Sequence, residues 1–324
     1  MILGMDLRKR FCYSLVFTLL SFSPSPAIAE IYKWVDENGK TQFSDKKPKS
    51  VKAQDIEDKL EGNFLHSNES EVLALDARQK QRQLKLGFEY SGYWLDKLEE
   101  SDLELVIHKM YDTYEMVFNW PSDKEFQIRL TFVDRKLYHQ IDKQNGVWGN
   151  SNGFYLPRTN QAYIKGNSDR RATIETAIHE ASHAILHARV NWVPNWINEG
   201  LAEYFESAHI KGGSFNVAMP KHKIKSLQFI NENKILSQLD EFFSIPNQEW
   251  RVAAQREQGN HYLTAWALVS FMMSTEPGRE LLADVLEAAK SRPHNFDART
   301  IINDRYENGY VGFVKAWQKW VDRI

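Results

Sequence analysis

Hydrophobic positions divide the chain into segments with a two-residue period, typical of strands, and segments with a period of three to four, typical of helices. Residues 127–133 (QIRLTFV) alternate apolar and polar positions, and residues 87–95 (GFEYSGYWL) are rich in aromatic side chains. Residues 153–156 (GFYL) and 161–164 (QAYI) flank a stretch of turn-forming residues, which predicts a β-hairpin. We expect these strands to form a small mixed sheet, with the QAYI strand available to pair with an extended peptide.

Helical periodicity lies between and after these strands. Apolar residues recur on one face over residues 103–118, with Ser101 as the expected N-cap and Glu104 completing a capping box. A second helical pattern covers residues 169–188. Beyond Met273, the segments GRELLADVLEAAK and GYVGFVKAWQKWV indicate two or three further helices. This order of elements predicts an α+β fold with a helical C-terminal part.

The first 29 residues have the pattern of a secretory signal peptide. Basic residues 8–10 precede an apolar run over residues 11–22, and a small-residue cleavage site (AIA) follows at 27–29. A retained membrane anchor is the alternative, but the apolar run is shorter than the about 20 residues that a spanning helix needs. We therefore expect cleavage before Glu30, a periplasmic location and no membrane span in the mature chain.

The next segment, residues 30–48, predicts a small β-hairpin module. Two strand-like stretches flank Asn38-Gly39, which is the strongest short hairpin signal. The segment resembles a short Y-K-W-x-D-x-x-G module of unknown function at the mature N-terminus of many proteobacterial envelope proteins. Residues 49–85 are polar and charged, and we expect them to form a linker to a main domain over residues 86–324.

Composition and charge narrow the class of protein. A hydrophobic content of 42% and a charged content of 26% are typical of a folded soluble protein. The net charge of -2 argues against a nucleic-acid partner, since such proteins usually carry a basic surface. The single cysteine, Cys12, lies within the expected signal peptide, so a metal in the mature chain must be held by His, Asp or Glu. The sequence leaves the oligomeric state open.

Residues 176–187 (TAIHEASHAILH) carry the candidate chemistry. His179 and His183 stand one helical turn apart, and Glu180 directly follows the first histidine, which is the H-E-x-x-H pattern. Two imidazoles at this spacing lie side by side and can both reach one Zn²⁺ ion. Glu180 lies too far round the helix to bind the metal well, but it is placed to take a proton from water as a general base.

A catalytic zinc site needs a third protein ligand. His187 lies a second turn along the same helix, about 6 Å further along its axis, which favours a surface histidine over a ligand. Glu199 follows His183 by sixteen residues and shares one face of a second helix with Glu203 and Glu206. If this helix folds back on the first, Glu199 supplies the third ligand and Glu203 accepts a hydrogen bond from a ligand imidazole. The alternative is an acidic, solvated helix face.

The segments HEASH and NWINEGLAEYFE together resemble the gluzincins, the group that contains thermolysin and the large aminopeptidases, and above all bacterial peptidase-MA-like domains of unknown function. The resemblance covers about residues 87–273 and implies a zincin-like domain with one zinc ion. It implies His179, His183 and Glu199 as ligands and Glu180 as general base. Two features depart from the pattern. No glycine-x-Met-Glu-Asn run precedes the helix, and no tyrosine lies between the ligand segments to act as a thermolysin-type oxyanion donor.

These residues lead us to expect a zinc-dependent peptidase of the cell envelope with a peptide or protein substrate. His261 or Tyr262, at the start of the hydrophobic segment HYLTAWALVSFMM, is the candidate oxyanion donor, and a buried side chain at the end of a core helix is the alternative. Two other classes stay open. One is a zinc-stabilised binding or scaffold protein without catalysis, and the other is an envelope structural protein whose helix binds no metal. Glu180 favours the enzyme, because a structural metal site needs no base.

Overall fold

The structure is a computed structural model that describes residues 32–35, 41–44, 84–120, 125–146, 151–233, 238–250, 252 and 260–324. The expected signal peptide and nearly all of the expected linker lie outside these residues. The chain divides into two compact units, Met1–Ser67 and Asn68–Ile324. In the first unit, β1 (Tyr32–Val35) and β2 (Thr41–Ser44) pair in antiparallel orientation, as the Asn-Gly signal predicted.

The second unit contains a four-stranded mixed sheet. Three of its strands are parallel and the fourth is antiparallel, in the order β3-β4-β6-β5. Ile128, Leu130 and Phe132 of the central strand β4 are fully buried, because helices cover the sheet. The strands are β3 (Leu84–Ser91), β4 (Phe126–Val133), β5 (Gly153–Leu156) and β6 (Gln161–Lys165).

The inner position of β6 corrects the expectation that the QAYI segment is free to pair with a peptide. β6 pairs with β4 along one side, where Gln161 faces Arg129, and with β5 along the other, where Gln161 faces Leu156. The strand at this edge of the sheet is therefore β5, with the sequence GFYL. A hairpin pattern alone does not show which of its strands is outermost, because that depends on where the preceding parallel strand inserts.

Ten α-helices within the described residues surround and extend the sheet, which confirms the predicted α+β class with helices at the C-terminus. They are α1 (Lys97–Phe118), α2 (Arg135–Asn145), α3 (Arg170–His187), α4 (Asn195–Phe205), α5 (Lys221–Glu232), α6 (Leu239–Phe243), α7 (Asn260–Met273), α8 (Glu276–Ser291), α9 (Ala298–Arg305) and α10 (Gly309–Val321). A hairpin of β7 (Ala208–Lys211) and β8 (Ser214–Val217) joins α4 to α5. The sequence pattern did not predict this hairpin, α5 or α6. No helix in the described part of the chain is long and apolar enough to cross a membrane.

Helix α1 begins earlier than the sequence predicted. Asp96, not Ser101, is its N-cap, and the Asp96 carboxylate accepts hydrogen bonds from the backbone N–H groups of Leu98 and Glu99. The Glu99 carboxylate accepts from the Asp96 N–H in return, which completes the capping box. The pairs Asp96–Glu99 and Ser101–Glu104 both have the spacing of a capping box. The buried side chain of Leu95, just before Asp96, favours the earlier start of the helix.

Helix α7 is the central helix of the C-terminal part, and α4 packs closely against it. All residues from 264 to 273 of α7 are buried. A Cβ atom at Gly200 of α4 would lie 2.7 Å from the carbonyl oxygen of Ala265 and 2.7 Å from Cγ2 of Val269. Because one of these atoms belongs to the backbone of α7, a side chain at this position would push the two helices apart.

The first prediction concerns this contact. Gly200→Ala should lower the free energy of unfolding by about 1–3 kcal/mol, because the added methyl group overpacks the interface between α4 and α7. Gly87→Ala is the matched control, since a Cβ there meets nothing closer than the flexible Gln127 side chain at 3.4 Å, and we expect a change below about 0.5 kcal/mol. Urea unfolding followed by circular dichroism measures both variants. Equal midpoints for the two variants would contradict the packing argument.

Candidate metal centre

Helices α3 and α4 form the framework of the centre. Asp169 caps α3, and Pro194 directly precedes α4 with a φ of -59°. The start of α4 is fixed by Asn247, whose side-chain oxygen accepts from the Asn195 N–H at 2.9 Å. The side-chain amide of Asn247 donates to the Val193 carbonyl, also at 2.9 Å. These bonds hold the turn that brings α4 back against α3.

His179, His183 and Glu199 converge at the crossing of the two helices. One carboxylate oxygen of Glu199 lies 3.7 Å from Nε2 of His179 and 3.7 Å from Nε2 of His183. Ligand atoms at 2.0–2.1 Å from a tetrahedral zinc ion are separated by about 3.3–3.4 Å. The two distances to Glu199 are about 0.3–0.4 Å longer than this spacing, and the ligand atoms of all three side chains lie within 4.8 Å of one another, so the set is compatible with one zinc ion. These are the three residues that the sequence predicted as ligands.

The second nitrogen of each imidazole is held by α4 or its C-cap. Nδ1 of His179 donates to Oε2 of Glu206 at 3.2 Å, and Nδ1 of His183 donates to the side-chain oxygen of Asn198 at 3.1 Å. Such partners fix the tautomer and the ring orientation of a metal ligand. Both rings are thereby held with Nε2 toward Glu199. The sequence alone pointed to no role for Asn198 or Glu206.

The hydrogen-bond acceptor of the imidazole is Glu206, and this corrects the prediction of Glu203 for that role. The carboxylate of Glu203 accepts a hydrogen bond from the ammonium group of Lys223 at 2.5 Å and does not bond to either imidazole. Glu206 is the C-cap of α4, two helical turns beyond Glu199, and so it lies on the same face of the helix as Glu199. The i, i+7 spacing of the two glutamates was the sequence signal for this contact.

Glu180 lies on the face of α3 that packs against the edge strand β5, and the residue is 6% exposed. A Cβ atom at Gly153 would lie 2.8 Å from Oε1 of Glu180, so only glycine leaves room for this carboxyl group. Burial raises the pKa of Glu180 to about 7. A carboxyl group with a pKa near the working pH can both accept and return a proton, which is the property of an effective general base.

The two imidazoles differ in their charge state. Burial lowers the pKa of His183 to about 4, so that this ring is neutral at physiological pH. Burial also acts to lower the pKa of His179, but the Glu199 and Glu206 carboxylates outweigh it and raise this pKa well above the usual range. A metal ion that binds at Nε2 of His179 therefore displaces a proton from that nitrogen.

Neither His187 nor His261 belongs to the cluster of His179, His183 and Glu199. His187 is exposed at the end of α3 with its ring 6.0 Å from that of Tyr155, and no His/Glu cluster among the described residues includes it. His261 is 1% exposed and packs against the ring of Trp250 at 5.4 Å. Tyr262 is partly buried, with its ring 5.9 Å from that of Trp250. The role of oxyanion donor stays a prediction. Because His261 is buried, Tyr262 is the better suited of the two residues for this role.

Comparison with known families gives two matches, both to domains of unknown function of an envelope type. Protein of unknown function (DUF1570) matches residues 173–295, which include His179, Glu180, His183 and Glu199. Domain of unknown function (DUF4124) matches residues 18–59, which include β1 and β2, and it favours an extracytoplasmic location. Each match spans less than half of the chain. No curated protein matches.

The second prediction separates the two glutamates. Glu206→Gln should weaken zinc binding by about 10- to 100-fold, because it removes the charge that orients His179. Glu203→Gln is the matched control and should weaken binding by less than about 10-fold, since Glu203 does not bond to the imidazole. Competition with a chromophoric chelator gives both dissociation constants. A greater loss in Glu203→Gln than in Glu206→Gln would show that the imidazole partner is wrongly assigned.

Proposed function

We propose that this chain is a zinc-dependent peptidase of the gluzincin type, with one zinc ion held by His179, His183 and Glu199. The observation that carries the proposal is the approach of both Nε2 atoms to one carboxylate oxygen on another helix, each at 3.7 Å. Two imidazoles and one carboxylate form the donor set of catalytic zinc sites, which keep a fourth position open. The resemblance of the HEASH and NWINEGLAEYFE segments to gluzincins supports the same assignment.

Glu180 is the general base of the proposed reaction. Zinc, when bound, would lower the pKa of a water molecule toward about 7 and polarise the scissile carbonyl group. Glu180 takes the proton from the attacking water and delivers it to the leaving amine. Its pKa of about 7 suits both transfers, and the absence of a side chain at Gly153 leaves room for the carboxyl group.

The edge strand β5 is the proposed binding surface for the substrate. It pairs with β6 on one side, and its other side pairs with none of the described strands. An extended peptide that adds to this edge would follow the strand that contacts Glu180, so that main-chain hydrogen bonds would bring a peptide bond to the base. The proposed location is the periplasm, after cleavage before Glu30, and the DUF4124 match supports that location.

The third prediction tests the proposal by separating zinc content from turnover. Glu180→Gln keeps the size of the side chain and all three ligands, so the protein should retain one zinc ion while peptide hydrolysis falls by about 10²- to 10⁴-fold. Glu199→Ala leaves two protein ligands and should lose both zinc and hydrolysis. His187→Ala is the control histidine on the same helix and should keep its zinc. Elemental analysis and cleavage of a mixed peptide library provide the two measurements.

The outcomes distinguish the proposed enzyme from the two other classes. Less than half an equivalent of zinc in the wild type after metal-replete purification would exclude the peptidase and favour a structural protein. One zinc ion without cleavage of any peptide would favour a binding or scaffold protein. If Glu199→Ala retained zinc while His187→Ala lost it, the metal would be held along α3 alone and the ligand assignment would be wrong.

A further inference from the structure

Lys223 is a buried lysine behind the metal centre. It lies in the first turn of α5 and is 8% exposed, whereas Lys221 and Lys225 of the same helix are exposed. Its Nζ atom lies 2.5 Å from Oε2 of Glu203, 2.6 Å from Oε1 of Glu206 and 3.1 Å from the backbone carbonyl oxygen of Glu203. These three oxygens accept from the three N–H donors of the ammonium group.

The surroundings of Lys223 hold its charge in one position. Its Nζ atom lies 5.5 Å from the centre of the Trp266 ring of α7, a favourable distance for a cation–π contact. A buried ammonium group is costly unless it is paired and hydrogen-bonded, and here both conditions are met. Removal of this charge would leave the carboxylates of Glu203 and Glu206 close together with their mutual repulsion no longer offset.

Glu206 connects Lys223 to the metal ligand His179. One oxygen of Glu206 accepts from Lys223 at 2.6 Å, and the other accepts from Nδ1 of His179 at 3.2 Å. The carboxylate is thus held at both ends. Its orientation toward the imidazole depends on the lysine, because Glu206 is the C-cap of α4 and the helix does not continue beyond it.

We propose that Lys223 is a positioning residue of the metal centre, which acts through Glu206. By fixing the Glu206 carboxylate, it fixes the ring of His179 with Nε2 directed toward the metal. The inference rests on the proposed function for the identity of the metal. It adds Lys223, which follows Glu206 by seventeen positions, to the residues that determine zinc affinity.

The fourth prediction is a double-mutant cycle on the full chain, with zinc affinity as the measurement. Lys223→Met removes the charge and keeps the length of the side chain, and it should weaken zinc binding by about 10-fold or more. If Lys223 acts through Glu206, the double variant with Glu206→Gln should bind zinc no more weakly than Glu206→Gln alone. Lys225→Met is the matched control on the exposed side of α5, and its affinity should equal that of the wild type.

Thermal unfolding with and without zinc separates positioning from a purely structural role. A structural role would lower the melting temperature equally in both states, whereas positioning also reduces the rise that zinc produces. If Lys223→Met does not fold, Lys223→Gln replaces it, because the amide still donates a hydrogen bond but carries no charge. Unchanged affinity in the Lys223 variant, or losses that simply add in the double variant, would overturn the inference.

The affinity measurement does not require hydrolysis, so the two proposals fail separately. A wild-type protein that binds zinc and cleaves no peptide overturns the peptidase proposal, while the cycle still decides the role of Lys223. A wild-type protein that cleaves peptides, with unchanged affinity in the Lys223 variant, overturns only the inference on Lys223. A wild-type protein that binds no zinc overturns both.

Discussion

The crossing of α4 over α3 is the contact on which the candidate site depends. Ligands on one straight helix point along a single face, so a third ligand that closes a tetrahedral site has to come from another element. Gly200 permits the close approach of α4 to α7, and Asn247 holds the turn before α4. Glu199 is the neighbour of Gly200 in the chain. The packing that buries the core of this unit therefore also determines where Glu199, the proposed third ligand, lies.

Charge is the second constraint on this region. The centre brings together four partly or fully buried carboxylates, those of Glu180, Glu199, Glu203 and Glu206. Among the described residues that contact these carboxylates, Lys223 supplies positive charge. The imidazole of His179, whose pKa is raised, also supplies positive charge. Buried carboxylates in excess of their cationic partners are unfavourable, and a divalent cation between His179, His183 and Glu199 would offset that excess. The same arrangement thus accounts for the balance of charge at this site and supports the chemistry that we propose.

Local patterns predicted those parts of the structure that depend on one segment. The period of α3, the side-by-side position of His179 and His183 on it, and the Asn-Gly hairpin are of this kind. The corrections concern features that depend on distant contacts: the edge position of β5 depends on where β4 pairs, and the choice of Glu206 over Glu203 depends on where α4 ends. The role of Lys223 could not be predicted from the sequence, because the segment KHKIKS has the pattern of a solvent-exposed helix start. Only the folded structure shows that the Trp266 ring and two carboxylates surround its third residue, Lys223.

The direction of β5 gives His187 a position in the proposed peptidase, although it is not a ligand. Alternate residues of a strand face the same side, and on β5 these are Gly153, which lies next to the carboxyl group of Glu180, and Tyr155, whose ring lies 6.0 Å from that of His187. The strand therefore runs along α3 from the base toward the C-terminal end of the helix. A peptide paired with β5 would extend from Glu180 past Tyr155 and His187. In the proposed peptidase, the side chains of Tyr155 and His187 would then border the substrate on one side of the scissile bond.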